Sequence, residues 1–111
     1  MPRDSRVYLE DILEATRKIT AYTESLSKAA FLEDEKTLDA VVRNLEVIGE
    51  AVKKLPEDLR AKHPALEWKK IAGLRDILIH EYFGLDAEIV WDIVQNKVPV
   101  LDREVRTMLN Q

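Results

Sequence analysis

Between Leu38 and Leu55, seven apolar residues (Leu38, Val41, Val42, Leu45, Ile48, Val52 and Leu55) recur at intervals of mostly three and four. A helix turns about 100° per residue, so this spacing gathers all seven on one face. Pro56 then stops the pattern, because proline lacks the amide proton that a helix interior requires. A stripe of this length has to be buried, and the rest of the chain offers mainly further helices to bury it against.

Residues 5–24 carry Val7, Leu9, Ile12, Ala15, Ile19 and Tyr22 close to a helical stripe, with Asp4 or Ser5 as the expected N-cap. A polar stretch containing Phe31 separates this helix from the Leu38–Leu55 one. Pro56 to Pro64 reads as a connector with at most a short helical turn. Trp68 to about Tyr82 forms the next helix, ending near Gly84, and Asp86 caps a further helix holding Ile89, Val90 and Ile93. Pro99 is expected to kink that helix or start another, and Val100, Leu101, Val105, Met108 and Leu109 complete the helical spacing. The expectation is an all-α, four- to five-helix up-down bundle. At 111 residues, with no internal repeat or linker, it reads as a single domain over 1–111.

Several function classes fall away on composition. There is no cysteine, so neither disulfides nor a thiolate nucleophile or zinc ligand is available. No apolar run approaches the roughly 18 residues that span a bilayer, and the chain reads as cytoplasmic. The net charge of −4 is unevenly spread. From Lys53 to Arg75, seven basic residues (Lys53, Lys54, Arg60, Lys62, Lys69, Lys70, Arg75) face three acidic ones (Glu57, Asp58, Glu67), a local +4 that leaves −8 elsewhere. A basic patch of this kind is either a solvated face or a phosphate contact.

The segment Gly73-Leu74-Arg75-Asp76-Ile77-Leu78-Ile79-His80-Glu81-Tyr82 combines the residue types of a catalytic site. On a helix, Ile71, Leu74 and Leu78 share one stripe, read as the core face, and His80 falls nearly opposite with Asp76 four residues before it. A carboxylate at that spacing can fix the imidazole tautomer and leave the other nitrogen for proton transfer. Arg75 and Tyr82, seven residues apart, share a side. Arg75 and His80 are offset by about 140°, which one helix cannot readily aim at a single phosphate. Either the helix ends early near Gly84, or a second copy of the helix crosses the first and the cleft is shared across a two-fold axis; the second is preferred.

Other candidates read more plainly. His63 is expected to be a surface connector residue. Glu46 and Glu50 share a helix face, but no histidine joins them at ligand spacing, so salt-bridge or packing roles, with Lys53 and Lys54 as candidate partners, are expected and no metal site. Trp68 and Trp91 are expected to be packing anchors.

The pattern Arg75-x4-His80-x-Tyr82 resembles the active-site motif of the HEPN superfamily. Its setting is similar to the HepT-like toxins in particular: Trp68-Lys69-Lys70-Ile71-Ala72-Gly73-Leu74 before it, Phe83-Gly84-Leu85-Asp86 and Val90-Trp91 after it, and Arg43-Asn44-Leu45-Glu46-Val47-Ile48-Gly49-Glu50-Ala51 upstream. Asp76 fits the polar position that follows the arginine. The resemblance implies a toxin of a toxin–antitoxin module, a metal-independent endoribonuclease without cofactor that cuts tRNA or mRNA and dimerises through the motif helix. Its implied partner is a cognate minimal nucleotidyltransferase antitoxin. Arg75 and His80 would be catalytic, Asp76 supporting, Lys69 and Lys70 RNA contacts, and Tyr82 the residue that the antitoxin modifies with AMP. The alternative is a helical binding partner of such a nucleotidyltransferase that performs no catalysis.

Overall fold

The computed structural model describes the backbone of residues 3–80 and 86–110 and the side chains of residues 5–74 and 86–110. Within these limits the protein is all-helical: α1 (Arg3–Thr23), α2 (Lys28–Glu33), α3 (Glu35–Lys53), α4 (Glu57–Ala61), α5 (Trp68–His80), α6 (Ala87–Asp92) and α7 (Val98–Leu109), with a π-helical turn, Ile93–Lys97, joining the last two. The expected four or five helices become seven α-helical segments among the described residues, because short ones occupy the stretches read as polar or as connector. The helix α1 begins at Arg3, so Asp4 and Ser5 lie inside it and neither is its N-cap.

The chain between α1 and α3 is held by two polar caps. The Ser27 side chain accepts a hydrogen bond from the Ala30 amide at 3.1 Å, and Asp34 accepts one from the Thr37 amide at 3.0 Å and another from the Thr37 hydroxyl at 2.6 Å. Each satisfies an amide that the helix start would leave unpaired. They enclose α2, whose Phe31 is fully buried and meets the Trp91 ring of α6 at 5.1 Å between centroids, tilted by 40°. An ion pair between Lys28 and Glu88 closes the same junction on its surface.

The central helix is α3, which packs against α1 and α5, while α7 packs on α1. The stripe predicted for α3 is the one buried: Val41, Val42, Leu45, Ile48 and Val52 line the core, joined by Leu55 just beyond the helix. On α1, Leu9, Ile12, Ala15 and Ile19 are buried as expected, but Val7 and Tyr22 are exposed. Thr16 takes a place on the buried face instead: its hydroxyl is satisfied by the Leu13 carbonyl and by Asp102 of α7, each at 2.9 Å. Arg106 holds the other oxygen of Asp102, so a small polar knot ties α1 to α7.

Pro99 is the second residue of α7. Its ring cannot donate to the carbonyl four residues back and crowds it. The helical run does not break there. It widens immediately upstream, where the Val98 amide reaches five residues back to Ile93, the i→i+5 closure of a π turn.

Candidate active site on the fifth helix

The start of α5 is anchored by Trp68, which is buried and donates from its indole N–H to the His63 carbonyl at 3.0 Å. His63 therefore belongs to the interior, with 8 % of its surface exposed, and is not the surface residue expected from its place between Lys62 and Pro64. The connector folds back so that its backbone completes the tryptophan's hydrogen bond. Past this anchor, Ile71 and Leu74 pack against the core, as the predicted stripe requires.

Arg75, Asp76 and His80 follow on the same helix, whose backbone continues through His80. Asp76 and His80 thus hold i, i+4 positions, and Arg75 and His80 hold positions about 140° apart around one axis. Their side chains, with that of Leu78, and the whole of Tyr82 and Gly84 lie outside the described residues. Asp86, at the far side of that segment, caps α6 as expected, accepting from the Glu88 amide at 2.8 Å.

The lysines ahead of the motif differ from each other. Both are exposed. Lys70 pairs with Glu67 at 2.7 Å, and Lys97, from the π turn, reaches the other oxygen of the same carboxylate at 3.7 Å. The Lys70 hydrogen bond, reinforced by the charges of both lysines, holds the Glu67 carboxyl below its usual range, and Glu67 in turn raises Lys70. Lys69 has no ion-pair partner among the described residues. Lys69, Lys70 and Lys97 border a groove of about 630 Å³ between the first half of α5 and the π turn.

The basic window does not form one surface. Lys54 turns to a second, polar groove of about 340 Å³ between α1 and α3, where its ammonium lies 5.5 Å from the centre of the Tyr8 ring and 3.8 Å from Glu50. Glu46 pairs with Arg43 at 3.8 Å. Glu46 and Glu50 thus have the salt-bridge roles expected of them, with Arg43 as a partner that the spacing alone does not single out. Trp68 and Trp91 are packing anchors, also as expected. Among the described residues no group of three or more histidine, aspartate or glutamate side chains could hold a metal ion, and no helix is long and apolar enough to cross a membrane. Lys97 carries no signal in the sequence, because it lies far from the basic window along the chain.

The family model described as "Ribonuclease HepT-like" matches residues 12–108, a span that includes all of α5 and the motif. "Putative RNase MJ0127" of Methanocaldococcus jannaschii is 52 % identical over 110 residues, covering 98 % of this chain and 91 % of the relative. "Probable ribonuclease HepT" of Thermococcus cleftensis is 45 % identical over 101 residues, covering 91 % and 92 %. No solved structure matches the chain significantly. With the family model running from the middle of α1 into α7 and such relatives aligned nearly end to end, the chain belongs to the ribonuclease HepT-like family.

Proposed function

We propose that the protein is the toxin of a toxin–antitoxin pair, an endoribonuclease that cuts RNA without a metal ion. The observation that carries this reading is the family match running through the helix on which Arg75, Asp76 and His80 stand at spacings of one and four. In the reaction, the substrate's 2′-oxygen attacks the adjacent phosphorus, the 5′-oxygen leaves, and the products end in a 2′,3′-cyclic phosphate and a 5′-hydroxyl. His80 moves the proton of the 2′-hydroxyl or of the leaving oxygen, since imidazole titrates near neutral pH. Arg75 supplies fixed, planar donors to the phosphoryl oxygens as their charge grows. Asp76 orients His80, and Lys69 and Lys70 hold flanking phosphates.

The offset between Arg75 and His80 supports a homodimer in which two copies of α5 compose the cleft. Tyr82 is the acceptor for regulation: its oxygen attacks the α-phosphorus of ATP on a cognate nucleotidyltransferase, pyrophosphate leaves, and the added AMP both occupies the phosphate position at Arg75 and repels RNA. The test is cleavage of RNA by purified protein in EDTA, with mass analysis of the ends. His80→Ala should lose about 10²- to 10⁴-fold in rate while remaining folded. Unchanged cleavage by that variant, or 5′-phosphate ends that vanish on chelation, would refute the assignment.

A further inference from the structure

The groove between α5 and the π turn joins the edge of the core, where Ile71, Leu74, Ile93 and Val100 pack on buried residues while staying partly open, to a charged rim. Its floor is aliphatic, formed by Ile71, Leu74, Ile93 and Val100, and its rim is cationic. Lys69 and Lys70 stand on one wall and Lys97 on the other, against one carboxylate among the described residues, that of Glu67. At about 630 Å³ it falls within the roughly 300–1,000 Å³ of ligand-binding clefts, which are mostly apolar with a few placed polar groups.

Two features of the walls point to an occupant from outside. Gly73 lines the groove inside α5, although a helical glycine destabilises relative to alanine. A Cβ placed on it would meet nothing within 4 Å among the described residues, so the chain's own packing does not require the space. Opposite, the π turn presents Asn96 to the groove. One amide hydrogen of Asn96 is held by Asp92 at 2.6 Å, which leaves its carbonyl oxygen and second hydrogen for a ligand. A π turn of this kind is frequent at functional sites.

We propose that this groove is a subsite for one unpaired ribonucleotide beside the scissile phosphate, with its base on the aliphatic floor and its phosphates on Lys69 and Lys97. The proposal rests on the ribonuclease reading above. Leu74 on the groove floor immediately precedes Arg75 on the same helix, and Lys70 and Lys69 stand five and six residues before it, so a strand whose phosphate meets Arg75 passes the lysine rim roughly 8–9 Å away, within about two helical turns. Lysines on both walls suit a polyanion that tracks along the groove, and Asn96 can read a base edge. A base that is paired in a duplex cannot reach the floor, so the enzyme acts on single-stranded positions.

The experiment uses the full chain carrying His80→Ala, which keeps the RNA intact, and a short unstructured fluorescein-labelled RNA followed by anisotropy across a salt series. Lys97→Ala should weaken binding a few-fold and flatten the dependence of log K on log salt by about 0.7, the loss of one phosphate contact to a single strand. Gly73→Leu should weaken the single strand about tenfold, the scale of one apolar misfit, and weaken the same sequence in a duplex less. Gly73→Ala should raise the melting temperature by a few degrees.

Unchanged affinity and salt slope in both Lys97→Ala and Gly73→Leu would overturn the subsite. So would a change in oligomeric mass by light scattering that accompanies the loss of RNA, since the groove would then be a contact between copies. RNA binding that survives while retention of the nucleotidyltransferase is lost would assign the groove to a protein partner, again overturning it. The two readings fail separately. A wild-type chain that never cuts RNA, yet loses single-strand binding on groove substitution, refutes the ribonuclease and keeps the subsite; cleavage indifferent to the groove does the reverse.

Discussion

Replacing Phe31 by alanine tests how α2, a six-residue helix, is fixed to the molecule. Phe31 has no exposed surface, and its ring meets Trp91 at 5.1 Å, so truncation removes both a buried aromatic side chain and an aromatic pair between α2 and α6. Burial of this kind costs about 3–5 kcal/mol on truncation to alanine, with the ring pair accounting for about 0.5–1.5 kcal/mol. An unfolding entropy of about 2.1 cal/mol/K per residue gives roughly 0.23 kcal/mol/K for a chain of this length, so the melting temperature should fall by about 13–22 °C. Phe31→Leu, which keeps most of the volume, should lose less than half as much. Thermal melts followed by far-ultraviolet circular dichroism measure both, and a Phe31→Ala, Trp91→Ala double-mutant cycle isolates the pair. An alanine variant melting within about 4 °C of wild type, which corresponds to about 1 kcal/mol, would show that α2 is not docked on α6 and that the reasoning fails.

Thr16→Val keeps the shape but removes the hydroxyl shared by the Leu13 carbonyl and Asp102; denaturant melts should show a loss of about 1 kcal/mol, less than additive with Asp102→Ala. Trp68→Phe removes the indole donor from the His63 carbonyl, which keeps the Leu66 amide at 3.3 Å, and should cost about 0.5–1.5 kcal/mol, with faster hydrogen exchange at the start of α5 as the local readout. Asp34 is held below its ordinary carboxyl range, first by the Thr37 hydroxyl and then by the Thr37 amide. A folded value below the unfolded one means that the ionised form stabilises, fully above the ordinary 3.8 and progressively less as pH falls through the folded value. The melting-temperature gap between wild type and Asp34→Ala should therefore be widest near neutral pH and narrow as pH falls below the ordinary 3.8; a gap of constant width from neutral pH into strong acid would contradict this.

The long helices are legible because their apolar spacing states which face is buried: Leu38 to Leu55 needs no further information. Val7 and Tyr22 depart from that rule because a stripe is wider than the neighbour that covers it, and only the tertiary partner decides where its edge lies. Thr16 shows the converse, a polar residue buried because Asp102, 86 positions later, completes its hydrogen bonding. Short α2 is hidden by its flanks, since Ser27 and Asp34 read as polar loop until their side chains are seen capping. His63 reads as exposed beside Lys62 and Pro64 unless one knows that Trp68 needs its carbonyl. At the candidate site, the helix and the spacing of Arg75, Asp76 and His80 are readable from sequence. The groove beside them is not, because Lys97 and Asn96 reach it from a distant part of the chain.

The π turn separates two things that helical proteins ordinarily keep coupled, chain length and core register. Inserting or deleting a residue in α3 would rotate everything beyond it by about 100° and carry half the stripe from Val41 to Val52 into solvent. A turn closed by i→i+5 bonds already holds one residue more than an α-turn. Losing one of the exposed residues Gln95 or Asn96, with Pro99 replaced by a residue that can donate, would return the turn to α geometry with Val90 on one side and Leu101 and Val105 on the other still directed inward. The steps of four from Val90 to Val94 to Val98, which drift by about 40° each on an α-helix, are what the wider turn absorbs. A change of length at this one place would reshape the wall of the groove while leaving the core intact, so the shape of that wall is not tied to how the chain folds.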